Sequence, residues 1–399
     1  MKQLEQYQNQ MKTELQNILQ FWLKHAPDEH HGGFVGAMNH ENIPDYSAPK
    51  GVVLLARILW TFSAAHQAIP NEQYLNMTQR AFDYLIKFAF DAEFGGVYWK
   101  LLPDGQASDS RKQIYAHAFV VYGLSEFYAA TNNELALEKA IELFHVLEAK
   151  SYDTQYGGYI EAFNKNWSAI HDVRLSGKDK NEKKTMNTHL HIIEAYANLY
   201  KVWPDKVLKS KIIHLLQLFV DYFIDSTSFH LNLFFTENWE LRPDVISYGH
   251  DIETAWLLLD CAIIIGDIEW VGAMEELAVK IANAAAEGLD SDGGFWYEKR
   301  MADQFLIREK HWWPQAEAIV GFFNAWQISQ QKHFLKKALH SWQFIQNHII
   351  DKKYGEWVWG VDANDRIMQL ENKIGFWKCP YHNARACLEM YQRLSMLTF

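Results

Sequence analysis

The chain has 399 residues, 49% of them hydrophobic and 22% charged, with a formal net charge of −11 at neutral pH. An acidic balance with Lys and Arg scattered along the chain leaves no footprint for nucleic acid or an anionic membrane surface, so neither is expected as a partner. Residues 1–20 lack the apolar core of a secretory signal, and the longest apolar run, 255–265, is too short to span a bilayer.

Along the chain, apolar residues at intervals of three and four predict helices over 54–65, 80–90, 114–130, 137–147, 188–202, 209–223, 252–265, 270–286, 316–327 and 334–348. Between them recurs an aromatic turn with paired glycines: His31-Gly-Gly-Phe34, Phe94-Gly-Gly-Val97, Tyr156-Gly-Gly-Tyr159, Asp292-Gly-Gly-Phe295 and a reduced Tyr354-Gly-Glu-Trp357. The first glycines, Gly32, Gly95, Gly157, Gly293 and Gly355, are separated by 63, 62, 136 and 62 residues. The interval of 136 is close to two periods, which places a degenerate unit at Phe229-His-Leu-Asn-Leu-Phe-Phe235. Six units of two helices account for the chain as one domain over 1–399, either closed into a barrel of inner and outer helices or left as an open solenoid. The glycine turns are expected as short hairpins at one end. Three cysteines, Cys261, Cys379 and Cys387, at unpaired spacings suit neither disulfides nor a zinc ribbon. A cytoplasmic protein with reduced thiols is expected.

Polar sets interrupt the apolar helices. In Ser247-Tyr-Gly-His-Asp-Ile-Glu-Thr-Ala-Trp-Leu257, His250, Glu253 and Leu257 share one helix face, with Trp256 beside them. In Asn187-Thr-His-Leu-His-Ile-Ile-Glu194, Asn187, His191 and Glu194 share another, and His189 diverges from His191. His311-Trp-Trp-Pro-Gln-Ala-Glu317 sets Trp313 four residues before Glu317, with Pro314 suited to a first helical turn. Phe376-Trp-Lys-Cys-Pro-Tyr-His382 ends in a histidine near a helix start, and Arg57 stands inside an apolar run, an expensive place for a guanidinium without a partner. One such His or Arg is more often a satisfied core residue, and Trp312 and Trp313 alone are more often core than platform. Five polar sets in different repeats are harder to explain as separate structural pairs. Histidines at the spacing of a His-Glu-x-x-His zinc site are lacking, as is a Gly-rich phosphate loop, so no metal and no cofactor are expected.

These stretches, with Lys50-Gly51 and Ala56-Arg-Ile-Leu-Trp-Thr-Phe-Ser63, resemble the N-acylglucosamine 2-epimerase superfamily from about Phe21 to the C-terminus. The resemblance implies an (α/α)6 barrel. It implies His250 and His382 as an acid/base pair and His191 as a third essential histidine, with Arg57, Tyr115, Asn187, Glu253, Trp313 and Glu317 around a sugar and Trp256 and Trp312 close by. The reaction implied is inversion at carbon 2 of a reducing sugar through a cis-enediolate, with Arg57 on the developing charge and two histidines removing and returning the proton. Glu253 is expected to orient His250, and Glu317 to hold sugar hydroxyls or help open the ring. Cys379-Pro-Tyr-His382 and Glu356-Trp-Val-Trp359 favour, by resemblance, the branch that converts cellobiose to 4-O-β-D-glucosyl-D-mannose. The alternatives are a mannose 2-epimerase or aldose–ketose isomerase on free glucose or mannose. More distant are a glycoside hydrolase using Glu253 and Glu317, and a non-catalytic sugar-binding protein. The expected partner is a small-molecule sugar, and the expected assembly a monomer or weak homodimer.

Overall fold

The helical periodicity becomes twelve α-helices within residues 2–397, the part of the chain that the computed structural model describes. In chain order they are α1 (Lys2–His25), α2 (Val52–Ala68), α3 (Glu72–Phe88), α4 (Ile114–Thr131), α5 (Glu134–Lys150), α6 (Met186–Val202), α7 (Lys206–Leu218), α8 (Tyr248–Ile265), α9 (Ile268–Ala285), α10 (Trp312–Ser329), α11 (Lys332–Phe344) and α12 (Tyr381–Ser395). The even-numbered helices are buried on most faces, and α2, α4, α8 and α10 are apolar nearly all round, whereas the odd-numbered ones bury a single stripe. Burial therefore sorts them into an inner and an outer ring. Around the inner ring α2 meets α4, then α6, α8, α10 and α12, and α12 returns to α2. The ring closes, so the architecture is an (α/α)6 barrel rather than an open solenoid.

Periodicity marks ten of these helices and passes over α1 and α12, which pack on each other where the ring closes. Both are amphipathic and rich in polar residues; in α1 the buried stripe of Tyr7, Met11, Leu15, Ile18, Leu19 and Trp22 is diluted by Gln, Lys, Glu and Asn.

Inner helices pass to outer ones through short loops at one end, as at Gly266, which ends α8 in the left-handed conformation. Outer helices return to inner ones at the other end through long connections. These carry the glycine turns and small antiparallel strand pairs such as Lys50–Gly51 with Lys100–Leu101. The degenerate unit is present: Ile224 bridges Leu231, and Phe229 takes the positive φ (60°) that glycine takes in the other units. In most units the turn is organised by an aspartate. Asp28, Asp91, Asp153 and Asp351 each accept two backbone N–H groups of their own turn and also a buried lysine that precedes the next inner helix. The lysines are Lys50, Lys112, Lys184 and Lys373, at 2.9, 2.6, 2.7 and 2.7 Å. Each ion pair pins a turn to the mouth of the barrel, and removing one partner would leave the other charge buried.

A second contact ties each turn to the helix behind it. Val97 N–H donates to His117 Nε2 and Tyr159 N–H to His189 Nε2, while Phe295 N–H donates to Gln315 Oε1 and Leu231 N–H to Asp251 Oδ1. His189 thus faces outward to its turn, diverging from His191 as the spacing requires. Among the described residues no helix is long and apolar enough to cross a membrane.

Burial pushes the His189 imidazole down to about 3, so it stays neutral in the folded state while the unfolded chain protonates it near pH 6.5. The unfolded state binds the extra proton between those values, so this histidine's contribution to stability falls as pH drops below 6.5. At pH 5.5 that loss is about 1.4 kcal/mol. Gln315 shows that an amide can fill the same role, so His189→Gln should close on or overtake the wild type by about that amount between pH 8 and pH 5.5 in urea unfolding. An equal stability difference at the two pH values would contradict the assignment.

Candidate active site

Because side chains of a helix lean toward its N-terminus, the first turns of the inner helices project into the mouth of the barrel. There they line a cavity of about 530 Å³, within the range of small-molecule sites. Arg57, Tyr115, Asn187, His191, His250, Glu253, Trp312, Trp313 and His382 line it, converging from all six inner helices. The Trp313 ring packs against two histidines, 4.8 Å from His250 and 5.7 Å from His382.

Behind this wall lies a residue that spacing did not single out. Arg385, one turn after His382 and 1% exposed, donates from Nη2 to Glu253 and Glu317, both at 2.7 Å, and from Nη1 to Glu194 and Tyr381. Glu317 in turn accepts from His382 Nδ1 at 2.7 Å, and Glu194 from His191 Nδ1 at 2.9 Å. His250 is tied differently, with Nδ1 at 2.8 Å from Ser247 Oγ. In each histidine Nδ1 is engaged and Nε2 is left for the cavity.

Enclosure, and then the charge of His191, pushes the His250 imidazole down to about 3, and burial followed by Arg57 and Arg385 pushes His382 well below its ordinary value. Both rings are neutral at pH 7 and able to accept a proton. Burial raises Glu194, but Arg385, His191 and Tyr381 outweigh it and bring this carboxyl down to about 2. Glu253 goes the other way, to about 7, through burial and then Glu317. Arg57 donates to Tyr115 Oη at 2.8 Å and lies 4.1 Å over the Phe119 ring, and among the described residues it has no carboxylate partner. Asn187 Oδ1 and Trp312 Nε1 are also buried without a partner.

This arrangement corrects three expectations. Glu253 does not orient His250; it is held by Arg385, 4.0 Å from His382 Nδ1, and Ser247 orients His250. Glu317 does not line the cavity but stands behind His382. Trp256 faces away from it, donating to Glu317 at 3.1 Å and packing 4.9 Å from the Arg385 guanidinium. Donor atoms of Glu253, Glu317 and His382 lie within 4.8 Å of one another, as a metal would need. The carboxylate oxygens concerned already face Arg385, so the cation among them is the guanidinium.

A profile of the N-acylglucosamine 2-epimerase (GlcNAc 2-epimerase) family matches residues 32–386. The chain belongs to that family. It is similar to the cellobiose 2-epimerase of Bacteroides fragilis, 44% identical over 382 residues that cover 96% of this chain and 97% of that protein. Among solved structures it is similar to the cellobiose 2-epimerase of Bacillus thermoamylovorans B4167, with a TM-score of 0.92 at 37% identity, over 98% of this chain and 100% of that one. A D-mannose isomerase shares the fold at a TM-score of 0.85 and 20% identity, over 96% of this chain and 98% of that one.

Two site residues had a visible signal that spacing alone did not weigh. Arg385 is a charged residue inside Ala384-Arg-Ala386, where small neighbours leave room for a guanidinium, and Glu161 precedes a strand piece yet is wholly buried beside the cavity. Glu161 accepts from the Thr185 and Thr188 hydroxyls, and burial raises it to about 7.

Arg385→Met would strand Glu194, Glu253 and Glu317 without their shared donor, and it is expected to cost about 3–5 kcal/mol in urea or thermal unfolding, with Arg385→Lys losing less. A methionine variant as stable as the wild type would contradict the role given to this guanidinium.

Proposed function

We propose that the cavity inverts carbon 2 of a reducing β-1,4-linked disaccharide, cellobiose being the substrate named by relatives that are 44% and 37% identical. That the chain is a carbohydrate epimerase, an isomerase, follows from its family. The observation that carries the mechanism is a pair of neutral histidines that both pack against Trp313, each with Nδ1 engaged, lining one cavity with an arginine that lacks a carboxylate.

In the open-chain aldose the carbon 2 proton is acidified by the neighbouring carbonyl. One imidazole takes it, and electrons move into the carbon 1–carbon 2 bond to give a cis-enediolate with charge on oxygen. Arg57 supplies a fixed, permanently charged donor for that oxygen, with Tyr115 as its neighbour. The second imidazole, having taken a proton from water on Nε2, delivers it to the other face of carbon 2, and the first imidazolium returns its proton to water. Glu317 behind His382 favours the imidazolium as it forms. Asn187 offers an unpartnered carbonyl oxygen to a sugar hydroxyl.

Hydrolysis fits less well. Its two carboxylates must flank a glycosidic bond at a separation of about 5 Å or more. Here Glu253 and Glu317 bond to the same nitrogen of Arg385. The three buried, unpaired cysteines suit a reducing compartment, which supports a cytoplasmic location.

Proton NMR of cellobiose, glucose and mannose incubated with the protein in deuterium oxide tests the proposal. The expected result is the C2 epimer of cellobiose with deuterium at carbon 2, lost in His250→Ala and in His382→Ala. Arg57→Lys should lower kcat by about 10²–10³, the usual effect of removing one oxyanion donor. Conversion of free glucose or mannose without conversion of cellobiose would move the substrate to monosaccharides, and cleavage without exchange would overturn the epimerase reading.

A further inference from the structure

Gly249 is the second residue of α8, next to His250, and it is buried. Its φ is not positive, so the backbone there suits any residue, and alanine forms helix better than glycine does. The reason for glycine lies in the space around it. A methyl group on its Cα would stand 2.5 and 2.6 Å from Cη2 and Cζ3 of Trp313 and 3.0 Å from Cγ of Pro314. Carbon atoms in contact keep about 3.5 Å or more. The indole on α10 thus lies on the bare backbone of α8, closer than a side chain would permit. Further along the same pair of helices the relation is reversed: a methyl group on Gly321 of α10 would stand 2.6 Å from Cγ1 and from the carbonyl oxygen of Ile252 on α8. Two glycines therefore draw together the helix that carries His250 and Glu253 and the helix that carries Trp313 and Glu317.

The Gly249 contact reaches the chemistry through what else the indole touches. Its ring packs 4.8 Å from His250 and 5.7 Å from His382, and Tyr297 meets it edge-on at 6.4 Å. Of the groups facing Gly249, Pro314 belongs to a ring closed on the backbone in the first turn of α10 and cannot rotate away, whereas the indole turns about its own side-chain bonds. A side chain at position 249 would therefore drive the indole by about 1 Å out of the place where it packs on both imidazoles.

We propose, on the epimerase reading of the cavity, that Gly249 is a positioning residue for the reaction: its bare Cα seats the Trp313 indole, and the indole holds His250 and His382 in place on carbon 2.

Gly249→Ala should lower kcat about 10²-fold on the sugar that the wild type epimerises, the usual cost of a misplacement of about 1 Å, with KM changing far less. In a crystal of this variant the indole should be displaced by about 1 Å while α8 and α10 keep their places. Trp313→Phe removes the two carbons that oppose the methyl group, and it should cost activity by itself. Adding Gly249→Ala to Trp313→Phe should then cost no more than about twofold further, because the two positions act through one contact. Thermal midpoints establish that each variant folds; if Gly249→Ala alone does not, the double variant should, and its failure as well would overturn the proposal. An unmoved indole, a wild-type kcat in Gly249→Ala, a loss confined to KM, or the same loss with and without Trp313→Phe would each overturn it too. A wild type that converts no sugar would sink the epimerase reading instead, and the displacement of the indole would still confirm or overturn the seat.

Discussion

The Arg385 guanidinium touches Glu194, Glu253 and Glu317 at once, deep inside the barrel, and the chemistry at the mouth depends on that clamp. Three carboxyl groups around one cation cannot all ionise in a low-dielectric interior. The charge settles unequally: Glu194 is held at about 2, while Glu253 rises to about 7 and Glu317 is also raised. Each of two carboxylates then fixes one histidine through Nδ1, leaving Nε2 for substrate. The guanidinium thus sets, at one remove, the tautomer and orientation of both His191 and His382.

The barrel supplies this clamp by bringing six inner helices to a common axis with their N-termini at one end. Chain connections at that end are held by their own buried charges, with Lys50, Lys112, Lys184 and Lys373 each bonded to an aspartate of the preceding turn. Turn and helix are also joined by His117, His189 and Gln315, which accept one backbone N–H each. Histidine therefore serves two purposes in one fold: facing the turns it is a neutral structural acceptor, and facing the axis it is a base.

Much of this was legible in the residues. The glycine interval of about 63 residues revealed six units, including the degenerate one where Phe229 replaces glycine. His191, His250 and His382, with Arg57, Asn187, Trp312 and Trp313, are marked by motifs, Tyr115 by the family resemblance, and all line one cavity. Spacing failed where partners come from across the barrel. Helical periodicity suggests that Glu253 serves His250, three residues away, yet its partner is Arg385, 132 residues on. The small neighbours of Arg385 leave room for a guanidinium but do not name its partners, which include Glu194 and Glu317, 191 and 68 residues away. Trp256 misled for the opposite reason: it shares a helix with Glu253, but a helix has two sides and two ends, and its ring sits below the site. Closure was equally invisible, since α1 and α12 are too polar to stand out and are the pair that completes the ring.

The central claim is that two different histidines serve the two faces of carbon 2, and isotope transfer tests it most directly. Cellobiose carrying deuterium at carbon 2 would be incubated with the enzyme in ordinary water, and the mass of the epimer measured over the first few turnovers. The account predicts an epimer that carries protium at carbon 2, because the base that removes deuterium is not the one that donates to the opposite face. An epimer that retains deuterium from the substrate would mean that one base reaches both faces, and would contradict the account.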